Sequence, residues 1–143
     1  MSKTQYAQLS DHVEPDPINP DEIDRRPLLG NWINSNPDTN SIARVKVFES
    51  NNKLQLQVFA VGPDGLIDWG IASAEVFAPN PASSTGAGFT CTYDFGFAEA
   101  RFQAMIMKGL LVLAQFHTFK DDSNRASYFM REYYAMTHEH FNQ

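Results

Sequence analysis

From residue 27 onward, apolar and polar residues alternate with a period of two, and short turn-forming runs divide the alternation into segments. This is the pattern of strands that bury one face. It predicts about eight strands, near residues 27–35, 41–50, 53–61, 66–78, 87–95, 98–107, 110–119 and 126–136. Asn51-Asn52 suits a two-residue hairpin turn at positive φ. Gly62-Pro63-Asp64-Gly65 and Lys108-Gly109 are further tight turns, Asp121-Asp122-Ser123-Asn124 is a looser one, and residues 79–86 form the longest connection.

Tight hairpins fix registers, and registers test whether neighbouring strands agree on a buried face. A turn at Asn51-Asn52 sets Val47 opposite Leu56, Val45 opposite Val58 and Ala43 opposite Ala60. The turn at residues 62–65 then sets Ala60 opposite Ile67, Val58 opposite Trp69 and Leu56 opposite Ile71. Lys108-Gly109 sets Leu111 opposite Ile106, Leu113 opposite Ala104, Gln115 opposite Phe102 and His117 opposite Ala100. A turn at Gly96-Phe97 puts Phe89, Cys91, Tyr93 and Phe95 on the same face.

A flat sheet of this size would leave two open edges and one unburied apolar face. The pattern therefore predicts an all-β fold, an up-and-down antiparallel β-barrel, in preference to a sandwich with longer crossing connections. Its inward set is apolar and aromatic, with Trp32, Trp69, Phe102 and Phe129 as the large contacts. Ala100 and Ala104 on the sixth strand suggest room for a cavity, against dense packing as the alternative. The polar inward positions are few: Glu75, Gln115, His117, Arg131 and Tyr133, with Tyr93 and Cys91 nearby. On the outer face, Met105, Met107, Leu110, Val112, Phe116, Tyr128, Met130 and Tyr134 form an apolar patch. A patch of that kind predicts a homodimer.

Composition narrows the function classes. The chain has 143 residues, 43% hydrophobic and 13% aromatic, enough for one domain with a real core. A net charge of −6, without a basic stripe, speaks against nucleic acid. No apolar run approaches a membrane span. The start, Met-Ser-Lys-Thr-Gln, leads into acid and proline, and a single Cys91 suits a reducing compartment, so a cytoplasmic protein is expected. Residues 1–26 read as an acidic, Pro-rich extension, loosely held or folded as a clasp with Arg25-Arg26 near the barrel rim. Residues 27–137 are the barrel and 138–143 a tail. His138-Glu139-His140 has no third ligand, so no metal and no cofactor is expected.

Gly30-Asn31-Trp32 on the first strand resembles the G-x-W of the calycin superfamily, which comprises lipocalins, intracellular fatty-acid-binding proteins and avidins. Arg131 on the last strand, in Met130-Arg131-Glu132-Tyr133, is similar to the late Arg that packs across that Trp and closes the barrel. Arg131-Glu132-Tyr133 also looks like the R-x-Y by which fatty-acid-binding proteins hold a carboxylate. The chain departs from those proteins in lacking a helical lid after its first strand. The resemblance implies a calycin-like barrel but carries over no member's ligand.

Two functions follow as expectations. The first is binding of a small, mostly apolar ligand in the lumen through Trp32, Trp69, Tyr93, Phe102, Gln115, Phe129, Arg131 and Tyr133, with a polar or anionic end met by His117, Arg131 or Tyr133. The alternative is a cyclase or isomerase of natural-product biosynthesis, by analogy with allene oxide cyclases, with His117 and Glu75 as acid and base.

Overall fold

The computed structural model of the protein describes Asn19 and residues 22–139; of the expected extension and tail, the remaining residues lie outside the described ones. A one-turn 3-10 helix, Arg26–Leu28, leads into eight strands: β1 Gly30–Asn34, β2 Ile42–Ser50, β3 Lys53–Gly62, β4 Gly65–Phe77, β5 Gly88–Asp94, β6 Ala98–Met107, β7 Leu110–Phe119 and β8 Tyr128–Thr137. Each pairs antiparallel with the next, and β8 pairs with β1, so the sheet closes into an up-and-down barrel with no edge. The fold class is the one the alternation predicts.

The tight turns hold the registers they were expected to hold. Asn51 and Asn52 adopt φ 54° and 60°, and Val45 and Val47 face Val58 and Leu56. Lys108 and Gly109 take φ 53° and 78°, and all four expected pairs between β6 and β7 form. The buried core is the inward set of these strands, centred on Trp32, Val45, Leu56, Val58, Phe89 and Phe102.

Two irregularities and one loop change which side chains point inward. In β2 the register shifts at Ala43, so that Ile42, not Ala43, faces Ala60 and enters the core. In β4 the register shifts opposite Val58: Phe59 faces Asp68, but Gln57 faces Ile71. The extra residue is accommodated at Gly70, at φ 88°, whose N–H donates to Asp68 Oδ1 at 2.7 Å. Beyond this bulge every β4 side chain changes face. Leu56 and Leu54 therefore face Ala72 and Ala74, while Ile71 and Glu75 stand on the outer wall, Ile71 exposed.

The third change is in β8. Leu111 faces Tyr134, Leu113 faces Glu132, Gln115 faces Met130 and His117 faces Tyr128. Tyr134 is fully buried, and its hydroxyl donates to Ile42 O at 2.7 Å. Tyr128 and Met130, expected on the outer patch with Tyr134, lie on its face of the strand. Phe129, Arg131 and Tyr133, expected in the lumen, lie on the outer face, with Phe129 58% and Tyr133 41% exposed. Arg131 stands over the Tyr133 ring at 6.0 Å, so it is not placed to close the barrel over Trp32.

Candidate functional site

The two ends of the barrel differ, and the difference begins with the short first strand. One end carries the β2–β3 turn, the β4–β5 loop and the chain entering β1. Here Asp24 makes a parallel bridge to Thr85, donating its N–H to Ser84 O at 2.7 Å and accepting from Gly86 N at 2.8 Å. Arg25, buried, donates through Nη2 to Asn52 O at 3.0 Å. Leu28 is fully buried, and its carbonyl accepts from Trp32 Nε1 at 3.2 Å. Residues 24–28 are thus tied to two connections at this end and drive Leu28 into the core beside Trp32. That end is stoppered.

At the other end β1 stops at Asn34, and the β1–β2 loop takes its place beside β8. Ser35 N–H donates to Tyr133 O, and Val61 N–H donates to Ser41 O, so the loop bridges from β8 to β3. Around it lies a cleft of about 410 Å³, lined by Thr39, Ser41, Tyr128, Met130 and Glu132 among others.

Registers gather the polar side chains at this end. Tyr93, Ala100, His117 and Tyr128 form one row across β5 to β8, and Cys91, Phe102, Gln115 and Met130 form the next. Gln115 is 0% exposed. Its Oε1 accepts from Ser41 Oγ at 3.3 Å and lies 2.9 Å from His117 Nε2, which donates in the matching tautomer. Its Nε2 is buried without a partner. The His117 ring stacks on Tyr128 with centroids 4.4 Å apart, and burial lowers its pKa below the ordinary imidazole value.

Glu132 sits one diagonal step from Gln115, since Leu113 is its direct partner. Its Oε2 accepts from Asn34 Nδ2 at 2.8 Å and Thr39 Oγ1 at 2.7 Å, while its Oε1 is buried without a partner. Thr39 Oγ1 also accepts from Ser41 N–H, so one short stretch of loop holds both Gln115 and Glu132. Two orphaned polar atoms on adjacent strands are an unusual cost, because buried polar groups are almost always satisfied.

An aromatic group stands across from these polar groups. Trp69, half-buried at the β4 bulge, meets Phe95 edge-on at 5.0 Å and Tyr93 at 5.6 Å, and lies parallel to Phe102 at 6.2 Å. Tyr93 was expected to offer its hydroxyl to a ligand. That proton goes to Gly70 O at 2.8 Å instead, and burial raises the phenol's pKa far above its ordinary value. Cys91 is a small core residue whose thiol burial pushes up to about 11.

Of the residues expected to form the site, the structure gathers Trp69, Tyr93, Phe102, Gln115 and His117. Trp32 belongs to the stoppered end. Phe129, Arg131, Tyr133 and Glu75 face outward, so the expected acid–base pair of His117 and Glu75 is not formed. Sequence reasoning missed Glu132, Asn34, Thr39 and Ser41. The signal for Glu132 was present, since placing Tyr134 inward would have brought Glu132 with it. Nothing local marked the loop residues. Among the described residues no cluster of three His, Cys, Asp or Glu side chains could hold a metal ion, and no helix is long and apolar enough to cross a membrane. His140 of the His-Glu-His run lies outside the described residues.

Fold and site together define a closed eight-stranded antiparallel barrel, stoppered at one end and carrying a buried polar cluster beside an aromatic wall at the other. No family model matches the chain, and neither a curated protein nor a solved structure matches it.

Proposed function

We propose that the protein binds a small, mostly apolar molecule at the open end of the barrel. Its polar end would lie at Gln115, His117 and Glu132, and its apolar body against Trp69 and Phe95, with Phe102 fully buried behind Trp69. The observation that carries this reading is Gln115, a fully buried amide with one side held by Ser41 and His117 and the other unpartnered. An amide kept at that cost inside an apolar barrel is accounted for if a ligand completes its bonding. Trp69 and Phe95 are only partly buried, so a ligand can reach the wall they form.

Titration with Nile red, a neutral apolar dye, tests the reading. One saturable site is expected, with dye emission excited through tryptophan, weakened by Trp69→Ala and unaffected by Met105→Ser on the outer wall. Absence of saturable binding, or binding lost only with Met105→Ser, would overturn it.

The alternative, a cyclase or isomerase, is favoured by one observation: burial keeps the His117 imidazole neutral near neutral pH, the form able to accept a proton. Membership of the calycin superfamily is supported by the closed barrel with Gly30 and Trp32 on its first strand, while Arg131 departs from the superfamily's pattern. We also propose a homodimer through the outer wall of β6 to β8, where Met105, Met107 and Tyr133 are exposed around a groove of about 360 Å³ and Phe129 is exposed on the same face of β8.

A further inference from the structure

We infer that the ligand's polar end is a neutral hydroxyl, as in an alcohol or phenol, and not a carboxylate. The inference rests on the binding reading above and concerns what the orphaned atoms require. Gln115 Nε2 is a donor that lacks an acceptor, and Glu132 Oε1 is an acceptor that lacks a donor. They project inward from adjacent strands, one diagonal step apart, and the loop residues Ser41 and Thr39 hold their other atoms. Neither atom is exposed, so a ligand reaches them only where the loop residues Ser41 and Thr39 give way; a hydroxyl placed between them would then satisfy both, its oxygen accepting from the amide and its proton going to the carboxylate.

A carboxylate fails one half of this demand. A ligand carboxylate accepts from Gln115 but meets Glu132 with like charge and no proton to give. No salt bridge between described residues reaches Glu132 to offset that charge. Turning the Gln115 amide over exchanges its donor for a second acceptor, which disfavours an anion further. Of the polar or anionic end expected at His117, Arg131 or Tyr133, the anionic form loses its support with Arg131 and Tyr133 on the outer wall, and His117 remains.

The test uses the full chain and three probes of one shape: 2-naphthol, 2-naphthoate and naphthalene, titrated at neutral pH by calorimetry with displacement of Nile red. The naphthol is expected to bind at least about tenfold tighter than either of the others, the discrimination one well-paired buried polar group supplies. Glu132→Gln is expected to loosen naphthol by about tenfold and to tighten naphthoate, with an unchanged circular dichroism spectrum. Naphthoate binding as tightly as naphthol, or naphthalene matching both, would overturn the inference and leave the binding reading standing. Nile red bound while none of the three displaces it would do the same. If Nile red itself fails to bind, both fall. The wild-type series decides the matter even if the variant does not fold.

Discussion

Replacing Gln115 by methionine separates the cost of this site from its use. The side chains are close in length, so Met fits without a large cavity or overpacking. The substitution removes a buried amide atom without a partner, which costs the fold about 1–3 kcal/mol. It loses the bonds to His117 at 2.9 Å and Ser41 at 3.3 Å, each worth about 1 kcal/mol or less. Both partners are only partly buried, so they turn to water instead of being orphaned in turn. The thioether adds a small apolar gain from burial. The balance favours the variant by about 1 kcal/mol, or about 3 °C in Tm for a chain of this size. Urea unfolding followed by circular dichroism reads it directly. With m near ~2 kcal/mol/M, the midpoint should rise by about 0.5 M at unchanged m. Binding of 2-naphthol should weaken at least about tenfold in the same protein. A variant destabilised by more than about 1 kcal/mol would refute the reasoning, because Gln115 would then serve the fold through Ser41 and His117.

Other consequences follow from the same placements. Arg131→Ala should change stability by less than about 0.5 kcal/mol, since the side chain is on the outer wall, whereas Tyr134→Phe should cost about 1 kcal/mol by removing a buried hydrogen bond to Ile42 O, which keeps Asn34 Nδ2 as a donor; urea melts of the pair distinguish this arrangement from an Arg clamp over Trp32. His117 has a folded pKa below its ordinary 6.5, so the unfolded chain binds more protons between the two values. Its contribution is complete above about pH 6.5 and lost as pH falls below it. Asp24, Asp94 and Asp121 are depressed instead from 3.8, so their contributions are lost only at lower pH. A stability decline as pH falls below about 6.5 that flattens in His117→Asn is the expected result, and an unflattened decline would remove His117 as its source. Sedimentation at micromolar concentration should show a dimer that Met105→Glu with Met107→Glu converts to monomer; a wild-type monomer would refute the proposed interface.

The sequence was most legible where a short turn fixed the parity of two strands at once. Asn51-Asn52 and Lys108-Gly109 each allow one register, and that register put apolar residues on the same face of both partners. Those two hairpins, with the β5–β6 turn, carried enough of the barrel to imply closure. In β4 the opening turn was equally clear, but the strand changes face halfway. Asp68-Trp69-Gly70 was the available sign of this: an Asp two residues before a Gly can hold that glycine's N–H while it takes positive φ. Reading β4 as uninterrupted carried Glu75 into the lumen and with it one half of an acid–base pair.

The last strand was ambiguous for a different reason. Both of its faces mix aromatic, charged and apolar residues, and the connection over residues 120–127 is too long to fix parity. Tertiary bonds decide it: Tyr134 reaches across the short first strand to Ile42 O, and Glu132 finds Asn34 and Thr39. These partners are far away in sequence and lie in or beside a loop with no periodicity, so the polar end of the lumen could not be assembled from local pattern. One consequence runs opposite to the sequence reading. Turning β8 over removes Arg131 from the lumen and introduces Glu132, so the sign of the charge at the candidate site reverses. That single change of parity removes the argument for an anionic end and underlies the proposal of a hydroxyl in its place.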